Sequence, residues 1–317
     1  MERFRTAVAW FCLANSLPTP AGAQAAPSLE AGIRARLALD TAVVAVAVHD
    51  PVSGVKAFIQ ADLRFHAAST MKVPVLVELA RRVDAGELRW EDNWPVRNGF
   101  ASIVDGSPFR LSATDDSDST LYAMEGQGVP VGELARLMIV RSSNLATNIL
   151  IERLGPARVN ATARALGADS IEVLRGVEDT RAFRAGRNNT TTARDLATLL
   201  LAIADGTTAS AASSERMLAI LEAQEFNDGI PAGLPPGTRV AHKTGEITAT
   251  FHDAALIWAA GRSDGQTVGR SDRPYALVVL TRGYADRDAA MAVMREVATM
   301  VHDAVRRERE KGREGER

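Results

Sequence analysis

The chain of 317 residues has almost no cysteine, little lysine and little net charge. Its one cysteine, Cys12, lies in a stretch near the amino terminus that is typical of an export signal. The processed protein is therefore expected to have no thiol, no disulfide and no cysteine-bound metal. A cysteine nucleophile is excluded on the same ground.

The chain also lacks a long apolar run. Residues 1–25 are predicted to be a signal peptide, with Arg3 and Arg5 at the charged start, an apolar stretch over residues 7–17, and small residues at 21–25. That stretch is too short to span a bilayer, and no later segment reaches the roughly 18 uncharged residues that a membrane helix needs. We expect an exported protein, periplasmic or secreted, with no membrane span. An amphipathic amino-terminal helix is the alternative.

The formal net charge is only −2, so there is no basic field to attract nucleic acid or anionic lipid. No nucleic-acid partner is expected. The five histidines show no His-x-His or His-Glu-x-x-His spacing, which disfavours a metallohydrolase. The sequence implies no metal and no cofactor, and a monomer is the default expectation.

Strand patterns lie near both chain ends, and helical periodicity fills the middle. The expected fold class is α+β: an antiparallel sheet built from both chain ends and flanked by helices, with an inserted all-helical lobe. The expected boundaries are residues 26–66 and 207–317 for the sheet lobe and residues 67–206 for the helical lobe. The last residues, 306–317, mix Arg and Glu and predict a frayed, solvated helix end or disorder.

The chemistry begins at Ser69-Thr70-Met71-Lys72, which precedes an apolar run. If Ser69 opens a helix, Lys72 lies one turn further on the same face. A helix start directs free backbone N–H groups outward, which favours a developing oxyanion. A serine hydroxyl needs a base to take its proton, and a neighbouring lysine can serve when it is neutral.

Two further motifs follow in order: Ser142-Ser143-Asn144 between helical stretches, and Lys243-Thr244-Gly245 at the end of a strand pattern. The order Ser-x-x-Lys, Ser-x-Asn, Lys-Thr-Gly resembles class A β-lactamases and penicillin-binding proteins. The resemblance covers nearly the whole processed chain and agrees with the mixed fold of that family.

The resemblance implies roles for the reacting groups. Ser69 would be the nucleophile, Lys72 its proton acceptor or relay, and Ser142 the group that passes a proton to the leaving nitrogen. The oxyanion hole would be the backbone N–H of Ser69 and that of Glu246. Each such donor is typically worth about 3–4 kcal/mol of barrier.

Roles in binding a β-lactam substrate follow in the same way. Asn144 would hydrogen-bond the amide side chain of the substrate. Lys243 would attract the substrate carboxylate and tune Ser142, and Thr244 would hydrogen-bond that carboxylate. Gly245, without a side chain, would let the substrate lie against the strand edge.

Class A enzymes also use a glutamate to activate the water that hydrolyses the acyl-enzyme, and Glu178 is the candidate. Its surroundings depart from the family pattern. Two residues, not one, separate Arg175 from Glu178. Ala182 replaces an asparagine that helps to hold the water. Asn189 replaces an aspartate, so the ion pair that pins the loop in the family is expected to be absent.

Two more departures lie elsewhere. Ser143 replaces the usual aspartate of the second motif, and residues 98–120 are additional compared with the family. Acylation is therefore better supported by the sequence than deacylation is.

Other functions stay open at this point. A D-alanyl-D-alanine peptidase uses the same three motifs without the glutamate. A Ser-His-Asp esterase would need His242 or His252, but Ser69 lacks the Gly-x-Ser-x-Gly elbow. A penicillin-binding sensor or an inactive scaffold would be the non-enzyme alternative.

Overall fold

The computed structural model describes residues 28–259 and 273–315. The predicted signal peptide, with Cys12, lies outside the described residues. In the described part of the chain, no helix is both long and apolar enough to cross a membrane.

The main sheet has five strands, and every neighbouring pair is antiparallel. This confirms the expected α+β fold, because two strands come from the amino-terminal part of the chain and three from the carboxy-terminal part. The strands, in their order across the sheet, are β2 (Lys56–Ile59), β1 (Val43–His49), β11 (Tyr275–Arg282), β10 (Thr250–Ile257) and β9 (Val240–Ile247). Three short pairs join β3 (Phe65–His66) to β8 (Thr190–Thr191), β4 (Asn93–Pro95) to β7 (Gly128–Pro130), and β5 (Phe100–Ala101) to β6 (Pro108–Phe109).

Helices fill the sequence between the two groups of strands and flank the sheet. Several begin behind a Ser, Thr or Asp side chain that accepts a hydrogen bond from a free backbone N–H of the first turn. The helices are α1 (Leu29–Leu37), α2 (Lys72–Asp84), α3 (Val131–Val140), α4 (Asn144–Leu154), α5 (Pro156–Ala165), α6 (Thr180–Arg184), α7 (Ala193–Ala204), α8 (Ala211–Glu222) and α9 (Arg287–Gly315).

The sheet separates two apolar cores, because successive side chains of a strand point to opposite faces. On one face, Ala45, Ala254 and Val278 join the core of the inserted helices. On the other face, Val46, Leu277 and their neighbours pack under α1 and α9.

Helix α2 is buried along most of its length and contacts α3, α4, α5, α7 and α8. It is therefore the central helix of the inserted region, and its first turn is held from several sides. Helix α7 packs on β1, β10 and β11, whereas α8 contacts both β9 and α2. The lobe boundaries at residues 66/67 and 206/207 stay a prediction.

The end of the chain is more ordered than its composition predicts. Helix α9 continues to Gly315, and the Arg309 side chain is buried within the range expected to be frayed or disordered. Its guanidinium donates hydrogen bonds of 2.9 and 2.6 Å to the Asp50 carboxylate, which is fully buried at the end of β1. A buried carboxylate requires a paired cation, and here the last helix supplies it.

We expect Arg309→Ala to lower the free energy of unfolding by about 3 kcal/mol, because it leaves the Asp50 carboxylate buried without its cation. Arg306→Ala is the matched control, since Arg306 pairs with Glu310 on the exposed side of the same helix. The control substitution should lower the free energy of unfolding by less than about 1 kcal/mol. Urea unfolding measures both, and equal losses would contradict the structural role of the Asp50–Arg309 pair.

Candidate active site

Ser69 lies in a single 3-10 turn, Ala68–Met71, that runs directly into α2. The turn is tied down by two hydrogen bonds: the N–H of Ala68 donates to His66 Nδ1 (3.0 Å), and the Thr70 hydroxyl donates to the carbonyl of Ala67 (2.6 Å). Ala68 has a φ of +45°, a conformation that a residue with a side chain rarely adopts. Ser69 thus opens a helix, as its motif predicts, and Lys72 follows on the first turn.

The Lys72 side chain is fully buried, and its ammonium group reaches the turn between α3 and α4. Nζ donates to the Ser142 carbonyl (2.6 Å), to the Ser142 hydroxyl (2.9 Å) and to Asn144 Oδ1 (3.1 Å). Burial lowers the pKa of Lys72 to about 7, although the negative charges of Asp116 and Glu178 act to raise it. Lys72 can therefore exist in both protonation states near neutral pH.

Lys243, on the edge strand β9, approaches the same hydroxyl from the sheet side. Its Nζ donates to Ser142 Oγ (3.1 Å) and to the carbonyl of Thr244 (3.1 Å). Burial and the charge of Lys72 lower the pKa of Lys243. The Ser142 hydroxyl accepts from two lysines, so its own proton is available to a group in the cleft. Ser142 has a φ of +58°, another strained backbone position.

Gly245 brings β9 against the nucleophile turn. A Cβ at this position would lie 3.1 Å from the backbone nitrogens of Ser69 and Thr70, tighter than most side-chain contacts in proteins. Glycine therefore keeps the space in front of the Ser69 N–H clear. Glu246 follows with an exposed side chain that pairs with Arg287 of α9 (3.0 Å).

One cleft of about 450 Å³ brings most of the predicted site residues together. The predicted residues that line it are Ser69, Ser142, Asn144, Glu178, Thr244, Gly245 and Glu246. Lys72 and Lys243 lie directly behind this wall, each bonded to Ser142. Residues separated by more than 170 positions in the sequence are thus brought together at one site.

The family model of the β-lactamase enzyme family matches residues 28–305. An ancestral class A β-lactamase (GNCA) of known structure is 27% identical and superposes with a TM-score of 0.72, covering 87% of this chain and 100% of that chain. The chain belongs to the class A serine β-lactamase family. A β-lactamase of Streptomyces fradiae is 26% identical over 308 residues, which is 92% of each chain.

The family likeness extends to a protein named PBP-A. Its structure is 27% identical, with a TM-score of 0.72, and covers 88% of this chain and 96% of that chain. A glutamate-for-leucine variant of PBP-A has been solved as an acyl-enzyme complex with penicillin G. This chain is accordingly a serine β-lactamase-type enzyme, with relatives of both names.

Glu178 lies on a loop between α5 and α7, here called the Glu178 loop (residues 174–189). Its Oε1 accepts a hydrogen bond of 3.3 Å from Asn144 Nδ2, and its φ is +63°. Asn148 of α4 holds the preceding residue, Val177, by its N–H (2.6 Å) and its carbonyl (3.0 Å). A Cβ on Gly176 would lie 2.3 Å from Asn148 Oδ1, so a side chain there would displace the Asn148 amide.

The base of the Glu178 loop is closed by hydrogen bonds of the side chains of Asn189 and Arg175. Asn189 Oδ1 accepts from the N–H groups of Leu174 (2.8 Å) and Arg175 (3.2 Å), and its amide donates to the Arg175 carbonyl (3.0 Å). The buried Arg175 guanidinium donates to the carbonyls of Arg187 and Gly176. An asparagine thus closes the loop at the position where the family has an aspartate.

A buried carboxylate, Asp179, fastens the other side of the loop. It accepts hydrogen bonds from the Ser102 hydroxyl (2.9 Å), the Ile103 N–H (3.0 Å) and the Ala182 N–H (3.0 Å). Burial would raise the pKa of Asp179, but these donors lower it overall. Two of these donors, Ser102 and Ile103, belong to the 98–120 segment, so that segment supports the loop.

The two strand histidines are occupied by hydrogen bonds within the fold. His242 contacts Asp253 (2.9 Å) and Asn227 (3.1 Å), and His252 Nε2 donates to the His66 carbonyl (2.8 Å). Burial lowers the pKa of His252 to about 4. This arrangement disfavours a Ser-His-Asp esterase. Within residues 28–259 and 273–315, no three metal-ligating side chains are grouped to hold an ion.

Sequence reasoning missed Asn148, Asp116 and Asp179. The role of Asn148 is evident only together with Gly176, because the Asn148 side-chain amide fills the space beside the glycine. Asp116 and Asp179 make contacts across 28 and 77 positions, and no local spacing indicates such contacts.

We expect Asp179→Ala to loosen the Glu178 loop, because three hydrogen-bond donors lose their acceptor. The amides of Ile103 and Ala182 should exchange with deuterium about 10- to 100-fold faster, in line with a loss of about 1–3 kcal/mol of local stability. Asp105→Ala is the control, since Asp105 pairs with Arg181 across the same contact but at the exposed surface. Unchanged exchange in Asp179→Ala would refute the fastening role.

Proposed function

We propose that this protein is a serine β-lactamase that hydrolyses the β-lactam amide through an acyl-enzyme on Ser69. The proposal rests above all on one observation: Ser69 and Glu178 line one cleft, and a buried lysine with a pKa near 7 lies behind it. We also propose that the protein is exported, with residues 1–25 as its signal.

In the acylation step, neutral Lys72 takes the proton of Ser69, and the serine oxygen attacks the β-lactam carbonyl carbon. The backbone N–H groups of Ser69 and Glu246 stabilise the oxyanion. The carbon–nitrogen bond then breaks, and the nitrogen receives a proton from Ser142. Lys72 returns its proton to Ser142, which restores both groups and leaves an ester on Ser69.

Support for substrate binding comes from the groups around Ser142. Lys243 supplies positive charge when it is protonated, and Thr244 is partly exposed and lines the cleft, so a substrate carboxylate can be bound there. Asn144 is committed to Lys72 and Glu178 but lines the cleft, within reach of an amide side chain. The proposed substrate is therefore a small β-lactam that carries a carboxylate and an amide.

Deacylation is assigned to Glu178. Its carboxylate would take a proton from a water molecule that attacks the ester carbon, and the serine oxygen would leave with a proton. The amide of Asn144 is bonded to Glu178 and can help to orient that water. Ala182 supplies no amide, so the water has fewer protein partners than the family pattern provides.

The second candidate is a penicillin-binding D-alanyl-D-alanine peptidase. Two observations favour it: the likeness to PBP-A equals the likeness to the ancestral β-lactamase, and the Ala182 side chain cannot hold a water. The two functions share acylation of Ser69 and differ in the lifetime of the acyl-enzyme with penicillin.

The first experiment is a time course of intact mass for the processed protein with excess benzylpenicillin. We expect an adduct on Ser69 that appears and then disappears as the drug is consumed. Ser69→Ala should form no adduct. An adduct that persists for hours would assign the peptidase instead, and a wild-type protein that never forms one would overturn the serine-enzyme proposal.

Glu178→Gln separates the two half-reactions. The amide cannot accept a proton, so the adduct should form at nearly the wild-type rate and decay at least about 100-fold more slowly. Glu172→Gln, another carboxylate on the approach to the loop, is the control. Equal decay in wild type and Glu178→Gln would show that another group activates the water.

The pKa of Lys72 predicts the pH dependence of acylation. A lysine that must be neutral to accept a proton is mostly protonated below its pKa, so the acylation rate should rise through about pH 7 and level off above it. At pH 6 the rate should be about tenfold below the plateau. Pre-steady-state adduct formation between pH 5.5 and 8.5 measures this, and a flat profile would contradict Lys72 as the base.

A further inference from the structure

Three consecutive residues of the additional 98–120 segment bind the turn that carries Ser142. The hydroxyl of Ser117 donates to the carbonyl of Arg141 (2.6 Å). The buried Asp118 carboxylate accepts from the Arg141 guanidinium (3.5 Å). The Asp116 carboxylate binds the other end of the turn, where α4 begins. The segment therefore holds both ends of this short turn.

The Asp116 carboxylate makes the most direct of these contacts. It accepts from the N–H of Asn144 (2.9 and 3.0 Å to its two oxygens) and from the N–H of Leu145 (3.0 Å). The Tyr122 hydroxyl donates to the same group (2.9 Å). Backbone N–H groups at a helix start have no partner within the helix, and a carboxylate is the strongest acceptor for them.

This contact accounts for the departure at Ser143. Class A enzymes usually have an aspartate at that position of the second motif. Here the Ser143 hydroxyl accepts from the Ala146 N–H (3.3 Å). The carboxylate at the start of α4 comes instead from Asp116, 28 positions earlier in the sequence.

We propose that Asp116 is a positioning residue of the active site: its carboxylate fixes Ser142 and Asn144 through the first turn of α4 and supplies negative charge toward Lys72. The part of this inference that concerns catalysis rests on the proposed function. The charge effect itself is a property of the fold and can be measured without substrate.

Three charged groups face Lys72 from different elements. Asp116 comes from the 98–120 segment and Glu178 from the Glu178 loop, and both raise the pKa of Lys72 against the effect of burial. Lys243 lies on β9, and the positive charge of Lys72 lowers the pKa of Lys243. Asp116 and Glu178 both stabilise the charged form of Lys72. Removing the Asp116 charge takes away one of these two contributions, so the pKa of Lys72 should fall further.

Because the chain contains few lysines, the pKa of Lys72 can be measured directly by NMR. The chain has four lysines, Lys56, Lys72, Lys243 and Lys311, so a protein labelled with ε-¹³C-lysine gives four resonances to follow against pH. Lys72→Arg assigns the Lys72 signal. In Asp116→Asn, which keeps one oxygen acceptor but loses the charge, the titration midpoint of Lys72 should fall by about 0.5–1 pH unit.

Glu125→Gln is the matched control, because it removes one carboxylate that pairs with Arg110 of the same segment. Its Lys72 midpoint should stay within about 0.2 unit of wild type. The thermal midpoint of each variant shows that it is folded. A folded Asp116→Asn with an unmoved Lys72 midpoint would overturn the inference.

Acylation by benzylpenicillin supplies the functional arm. At pH 8.5, where Lys72 is neutral in every variant, Asp116→Asn should acylate about 3- to 10-fold more slowly than wild type, since the α4 turn loses a charge-assisted acceptor. Its acid limb should shift to lower pH together with the Lys72 midpoint. Wild-type rates in Asp116→Asn would refute positioning, whereas no adduct in wild type would refute the proposed function and leave the NMR shift to decide the charge effect.

Discussion

The arrangement of this site depends on an ammonium group, that of Lys72, with no exposed surface. A buried cation is costly unless each of its protons is donated to an acceptor. An ammonium has three protons, and Lys72 meets three acceptors: the carbonyl and hydroxyl of Ser142 and the amide oxygen of Asn144. Burial lowers the pKa of Lys72 to about 7, and the negative charges of Asp116 and Glu178 act to raise it. A lysine of ordinary exposure would stay charged and could not take a proton from serine.

That balance requires three distant pieces of chain to meet at Ser142. Helix α2 brings Lys72, and it is rigid because all of its first nine residues are buried. The turn before α4 brings Ser142 itself. Strand β9 brings Lys243, and Gly245 allows this strand to approach the Ser69 turn closely. The backbone is strained at Ala68, Ser142 and Glu178, and strain of this kind persists only where the surroundings hold it.

The sequence was sufficient to predict the parts with local signatures. The motifs at Ser69, Ser142 and Lys243 fall at the start of a helix, on a turn and on a strand, where their spacing indicates. Hydrophobic periodicity predicted the main helices and the strands of the sheet. It could not predict partners supplied from afar, because the contact of Asp179 with Ser102 and that of Asp50 with Arg309 leave no local pattern. The 98–120 segment has no helical or alternating apolar pattern, so its sequence identified it only as additional chain.

The 98–120 segment makes contacts at two places where this chain departs from the family pattern. Where the family pattern has an aspartate beside Ser142, the segment supplies the Asp116 carboxylate to the same helix start. Where the family has an ion pair across the glutamate loop, the segment receives the Asp179 carboxylate. One piece of chain thus touches both the turn that acylation would use and the loop that deacylation would use. In this chain, the Ser142 turn and the Glu178 loop are therefore both held by residues of the 98–120 segment.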